Sequence, residues 1–181
     1  MHISDGFLPA SVCLAGYGIT GGLTWYSLSR IKRQYQQPHS QIPKAALLTA
    51  AFFLASLIHI RVLFTSVHLI LNGVMGVILG YYAFPAVLVG LFFQAVMFNH
   101  GGLSTLGVNA VIMGLPALAA HYIFQFSSKI IKQKKELWRK IAVFIAASGG
   151  LILSILIFSL ISIIFLPTDL DASTEKTAIY T

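Results

Sequence analysis

The sequence predicts an all-α fold, a polytopic membrane helix bundle of about six transmembrane helices with its amino terminus external. Three observations carry this. Of 181 residues, 57% are hydrophobic and 9% charged, with a mean hydropathy of +0.83, whereas soluble domains run at about 25% charged. The apolar residues gather into segments at about 7–28, 45–64, 67–82, 84–98, 107–126 and 141–166, broken by Gly, Pro and charge clusters. The basic residues, finally, collect in two of the connections between those segments.

The first segment follows Met1-His2-Ile3-Ser4-Asp5-Gly6, which lacks the positive stretch that opens a secretory signal. It is expected to stay uncleaved with Met1 as first residue, and Val12 ahead of Cys13 argues against lipoprotein processing. The second segment carries His59 and Arg61 towards its outer end, where Arg61 is expected to snorkel to the interface. The third and fourth are short enough to form one tilted hairpin turned around Pro85. The fifth follows the turn Asn99-His100-Gly101-Gly102 and carries His121. The sixth follows the basic stretch 129–140, for which contact with anionic headgroups is the default expectation. Residues 1–166 read as a single transmembrane domain and 167–181 as a polar carboxyl-terminal tail.

Ten of the twelve Lys and Arg residues occupy two connections: Arg30, Lys32, Arg33 and Lys44, then Lys129, Lys132, Lys134, Lys135, Arg139 and Lys140. Both should face the cytoplasm. An external amino terminus with six spans achieves this and gathers Met1-His2, Thr65-Ser66-Val67-His68 and Asn99-His100-Gly101-Gly102 on the external side. His39, in the first basic connection, reads as solvated. Glycines at 16, 18, 21, 22, 73, 76 and 80 are expected to let helices approach within the bundle.

The composition excludes several functions. A net charge of +7 on so apolar a chain does not make it a nucleic-acid binder, and a single cysteine allows no internal disulfide and no thiolate cluster. The acidic residues Asp5, Glu136, Asp169, Asp171 and Glu175 all lie outside the predicted spans. That disfavours a proton-coupled pump and a path for magnesium or calcium, which want several oxygen ligands. His59 and His121, inside spans, lie at about 8 and 21 Å from the outer ends of their helices at 1.5 Å per residue. One haem cannot take both, so each reads as a packing histidine bonded to a neighbouring hydroxyl or carbonyl.

Nitrogen is the chemistry on offer. A free amine followed by histidine supplies the Met1 amine, the His2 backbone amide and the His2 imidazole, which close a five-membered and then a six-membered chelate ring. Ni(II) and Cu(II) promote loss of the amide proton, and a planar nitrogen set is their preferred geometry. His68 is the choice for the fourth ligand. His100 is a further candidate, either as a ligand or as a partner of one. A histidine at position 2 means little by itself, and a lone loop histidine is usually solvated; convergence of the three segments is what raises the metal reading.

The opening Met1-His2-Ile3-Ser4-Asp5-Gly6-Phe7-Leu8-Pro9, the Ser66-Val67-His68-Leu69 turn with Asn72-Gly73 behind it, and His100-Gly101-Gly102-Leu103-Ser104-Thr105-Leu106-Gly107-Val108-Asn109 together resemble the CbiM/NikM family. These are the substrate-capturing membrane subunits of energy-coupling-factor cobalt and nickel transporters. The resemblance covers roughly residues 1–126. It implies a metal held by Met1, by the amide and imidazole of His2 and by His68; members of the group can carry aspartate where this chain has His100. Asn109 is expected to support the ligands or fix the loop.

The resemblance further implies a membrane coupling subunit, cytoplasmic ATPase subunits and a small accessory membrane protein as partners in the plasma membrane, with no nucleic acid. Co(II) or Ni(II) is then a transported substrate, and no prosthetic group is expected. The chain contains no G-x-x-x-x-G-K-[ST] phosphate loop, so ATP hydrolysis is expected on a partner chain and the protein is expected not to be an enzyme. Family members usually continue into a further helix with a histidine and a glycine-glutamate motif, whereas here Pro167 leads into the polar tail. A secondary metal or ion carrier and a structural or assembly membrane protein are the two other classes, and the sequence leaves cobalt and nickel undecided.

Overall fold

The computed structural model describes residues 2–62, 65–68, 71–130 and 136–165. Among them are six α-helices: α1 Ala10–Gln34, α2 Ile42–Leu57, α3 Asn72–Leu79, α4 Ala83–Phe98, α5 Leu106–Ile130 and α6 Glu136–Phe165. A two-stranded hairpin, β1 His59–Val62 and β2 Thr65–His68, lies between α2 and α3. Three apolar stretches have the length and hydropathy to cross a membrane, Asn72–Phe98, Leu106–Lys129 and Glu136–Phe165.

Helix ends follow local chemistry. The carbonyl of Pro9 accepts the first bonds of α1, from the N–H groups of Val12 and Cys13 at 3.0 and 3.2 Å. Lys32 and Arg33 occupy its last turn, where cations suit the dipole. Pro43 sits in the first turn of α2, where its missing N–H costs nothing. That helix stops at Leu57, short of the expected 64, because Ile58-His59-Ile60-Arg61-Val62 alternates apolar with polar residues and is rich in β-branched side chains. His59 and Arg61 are therefore strand residues rather than helix-packing or helix-end residues.

The third and fourth predicted segments do fold back on each other, but at Gly80 rather than Pro85. Gly80 has φ +60°, which glycine adopts without a Cβ penalty, and Gly80–Tyr82 form a 3₁₀ turn. Contacts along α5 show the reversal. Asn72 meets Met113, Gly76 meets Ala117 and Gly80 meets His121, so α3 runs parallel to α5. Phe84 then lies at Gly114, so α4 runs the other way. Pro85 is accommodated in the first turn of α4. The apolar stretch 72–98 is thus a bent pair of helices, not one straight rod.

The centre is α5, which packs against α1, α3, α4 and α6. Close approach on α3 is enforced by glycine: a Cβ on Gly76 would lie 1.9 Å from the Ala117 carbonyl, and one on Gly73 would lie 2.2 Å from the Ala147 carbonyl. Gly16 likewise meets Val108, whereas Gly18, Gly21 and Gly22 face open space and do not serve the packing expected of them.

A polar knot joins three helices in this apolar interior. Pro116, inside α5, cannot donate to the carbonyl of Ile112. The Ser154 hydroxyl of α6 donates to that carbonyl at 2.5 Å. Asn72 of α3 donates to Ser154 Oγ at 2.9 Å and to the Met113 carbonyl at 3.2 Å. Every freed backbone group in a low-dielectric interior needs such a partner.

One end of the bundle gathers the starts of α1 and α5 and the end of α6, since Ser11, Val108 and Phe165 line one cavity. The hairpin is at this end too, because Ser56 and Gln94, near the last turns of α2 and α4, are bonded at 2.5 Å. The opposite end gathers Arg30, Arg33, Tyr81 and Lys129. The tail 167–181 lies outside the described residues.

Candidate metal-capture site

The site is built on the α4–α5 loop. Helix α4 ends with Asn99 in the left-handed region, φ 52°, and its reversed backbone brings the His100 N–H onto the Gln94 carbonyl at 3.1 Å. Gly101, at φ +86°, turns the chain again and lies under His2: a Cβ there would be 3.6 Å from His2 Cβ and 3.2 Å from Asn109 Nδ2.

Asn109, in the first turn of α5, fixes the amino-terminal strap. Its Oδ1 accepts the Ile3 N–H at 2.9 Å and its Nδ2 donates to the Ile3 carbonyl at 3.0 Å. Thr105 Oγ1 donates to the same carbonyl at 2.6 Å. Ile3 and Asn109 are 4% and 2% exposed, so water does not compete for these bonds. One side chain thus reads both backbone groups of a residue as a strand partner does. With Ile3 held, the His2 ring stands edge-on to the His100 ring, centroids 4.7 Å apart and planes at 66°.

A second clasp follows at Asp5. Its carboxylate accepts the N–H groups of Leu103 at 3.2 Å and of Ser104 at 2.9 Å, together with the Ser104 hydroxyl. The Ser104 hydroxyl bond, with help from the backbone N–H groups of Ser104, Thr105 and Leu103 and against a desolvation penalty, holds this carboxyl below its ordinary 3.8. Gly102 makes room for it, since a Cβ there would lie 1.9 Å from Asp5 Oδ1. From α1, the Tyr17 hydroxyl donates to the Leu103 carbonyl and Thr20 to the Gly107 carbonyl at 2.7 Å.

Of the residues singled out from the sequence, His2, His100 and Asn109 come together. Met1 lies outside the described residues. His68 ends β2, in register opposite His59, and its side chain is likewise outside them. Among the described residues no three His, Cys, Asp or Glu side chains form a cluster able to hold a metal. His121 is elsewhere: it accepts from the Gln125 amide at 2.9 Å and packs on Tyr81, with ring centroids 4.8 Å apart. That partner is an amide rather than the expected hydroxyl or carbonyl. Asp5 and Thr105 carry the strap and were not foreseen; the signal was a polar Ser104-Thr105 pair just before a helix, opposite an Asp-Gly turn.

Comparison with known proteins decides the family. Residues 2–179 match the family model CbiM, described as the cobalt uptake substrate-specific transmembrane region. The chain belongs to the CbiM family. A Haemophilus influenzae protein named for metal transport is 42% identical over 125 residues, 69% of this chain and 58% of its own. The cobalt transport protein CbiM of Thermosediminibacter oceani is 30% identical over 165 residues, 88% of this chain and 65% of its own. The chain thus spans less than two thirds of the length of these two relatives. A crystal structure of a truncated transition metal transporter shares the fold, at a TM-score of 0.68 and 20% identity over 93% of this chain and 79% of that one.

Proposed function

We propose that this CbiM-family chain is the substrate-binding membrane component of an ATP-driven energy-coupling-factor importer, capturing Co(II) or Ni(II) from outside the plasma membrane. The names of relatives support the two metals: cobalt in the Thermosediminibacter oceani protein and nickel in the fused nickel transport protein NikMN of Rhodobacter capsulatus. The observation that carries the reading is the two-bond grip of Asn109 on Ile3. A clamp made of the first two residues binds more tightly when the third is immobilised, because chelation by a fraying terminus would have to order it first.

In this reading the Met1 amine, the His2 amide nitrogen and the His2 imidazole take three corners of a planar set and His68 the fourth. His100, beside the His2 ring, serves as an alternate ligand or orients a ligand. A nitrogen set without carboxylates selects borderline cations over magnesium and calcium. The strap end faces outward and the Arg30–Lys129 end faces the cytoplasm, as the positive-inside rule requires. A coupling membrane subunit, cytoplasmic ATPases and a small accessory membrane protein would convert capture into import, the chain itself carrying out no catalysis.

The test is metal content by elemental mass spectrometry on carboxyl-terminally tagged protein exposed to Co(II) and Ni(II), comparing the native start with a version extended before Met1. Extension removes the free amine and one chelate ring while leaving every side chain. Near-stoichiometric metal that disappears on extension is the expected result. Equal metal in both forms, or none in either, would sink the clamp.

A further inference from the structure

At the end of the bundle opposite the strap, Arg30, Arg33, Tyr81, Gln125, Ser128 and Lys129 line an open cavity of about 610 Å³ between the last turns of α1 and α5. We propose that this cavity is a binding site for the phosphate of an anionic phospholipid headgroup.

The electrostatics leave an anion to be supplied. Among the described residues the ion pair present is Lys140–Glu136, on another helix, and the other described carboxylate, Asp5, is committed at the far end of the bundle. Three cations therefore converge on one cavity with no described carboxylate among them. The Arg30 guanidinium is also pre-positioned. Its carbon lies 5.8 Å from the Tyr26 ring centroid and 5.3 Å from that of Tyr81, within cation–π reach of both rings. Tyr81 is itself held, receiving a bond from the Tyr122 hydroxyl at 3.2 Å and packing edge-on against His121. A planar donor fork held between two rings is a good receptor for paired phosphate oxygens. Gln125 is bonded to His121 through its amide nitrogen, which leaves its carbonyl end and the cations to shape the opening.

A lipid is favoured over a soluble phosphate by what borders the cavity. The lining residues Gln125, Ser128 and Lys129 end the stretch Leu106–Lys129, which is long and apolar enough to cross a membrane, so the cations stand at the edge of the apolar layer, where headgroups lie. A phosphodiester tethered to acyl chains satisfies both at once, and basic pockets between membrane helices on the cytoplasmic side take such headgroups.

The experiment is native mass spectrometry of the full chain released from detergent, offered phosphatidylglycerol, phosphatidylcholine or inorganic phosphate at matched ionic strength. The expected result is retention of phosphatidylglycerol over phosphatidylcholine, weakened about fivefold by each of Arg30→Gln, Arg33→Gln and Lys129→Gln and on the order of a hundredfold by all three, from roughly 1 kcal/mol per cation. Lys140→Gln, outside the cavity, should leave it unchanged. Metal stoichiometry at the strap end, read in the same variants, reports that they are folded and separates this test from that of the capture site. Equal retention of the two lipids, or equal loss in Lys140→Gln, overturns the proposal. So does displacement by inorganic phosphate alone, which marks a soluble-anion site. Loss of co-purifying transporter subunits in the cavity variants without any lipid preference overturns it in favour of a partner carboxylate.

Discussion

Replacing Asn109 with leucine tests whether capture depends on the strap. The substitution keeps the number and branching of heavy atoms but deletes the acceptor for the Ile3 N–H and one of two donors to the Ile3 carbonyl. The carbonyl keeps Thr105 Oγ1 at 2.6 Å, whereas no other bond to the N–H is seen among the described residues. One buried donor left unsatisfied costs about 1–3 kcal/mol. If that loss falls on the strapped state, the fraction of chains with an ordered terminus falls in proportion and the apparent Kd for Co(II) or Ni(II) rises by about fivefold to 150-fold. Asn109→Asp refines the test: it keeps an acceptor for the N–H but aims a second carboxylate oxygen at the Ile3 carbonyl, so it should also weaken binding. The assay is competition with a chelating dye on the tagged full chain, with thermal unfolding measured alongside. A leucine variant that melts normally and binds metal with native affinity would refute the argument, because the grip would then hold nothing that capture needs.

Further perturbations separate the parts of the site. Gly102→Ala places a Cβ against Asp5 Oδ1 and should release the second clasp, lowering metal affinity about tenfold or more, as loss of a supporting contact does; unchanged affinity in a dye competition would show the clasp to be dispensable. In the pH profile the two groups act in different windows. Asp5 has a lowered pKa, so its contribution is complete above the ordinary 3.8 and is lost as pH falls through the lower folded value. The imidazoles and the amine take up protons below about 6.5 and 8. Metal affinity should therefore fall steeply below about pH 6.5 while hydrogen exchange shows the strap still protected at about pH 5; affinity flat over that interval contradicts a histidine site. Ser154→Ala orphans the Ile112 carbonyl and removes a partner of Asn72. It should destabilise the bundle by about 1–3 kcal/mol in a denaturant titration while leaving one metal per chain, and native stability would show that Pro116 needs no such partner.

Much of this was legible in the residues because the signals are local. Apolar runs and the two basic connections gave the helices and their grouping at two ends. The failures share a cause in that tertiary position, not composition, decided them. Segment 45–64 is apolar apart from Thr49, Ser56, His59 and Arg61, and only the alternation from Ile58 onwards distinguishes a strand from the rest of a helix. The turn was assigned to Pro85 because proline is a breaker on any scale, but a proline in a first turn is harmless, and the reversal needed the positive φ that Gly80 supplies. Gly18, Gly21 and Gly22 look like the packing glycines of α3 but face away from α5. The strap was invisible in another way. The bonds between Asn109 and Ile3 join positions 106 residues apart, and the group being read is a main-chain N–H that every residue but proline possesses.

The two arms of the proposed site are anchored to one stretch of one helix. The amino-terminal arm reaches α5 through Asn109, one residue beyond His2 by way of Ile3. The hairpin arm ends at His68, four residues before Asn72, whose amide is bonded to the Met113 carbonyl, one turn below Asn109 on the same helix. Pro116 lies a turn below that, and its missing bond is what leaves the Ile112 carbonyl to Ser154 and so ties Asn72 and α6 into the same knot. A helix-breaking residue in α5 therefore serves the upper end of the molecule. By leaving a carbonyl to be satisfied from outside, it fixes α3, and with it the root of the hairpin, against the helix that also holds the strap. A metal bridging His2 and His68 would join two arms whose roots are already held to each other, so its binding energy would not be spent on bringing them together.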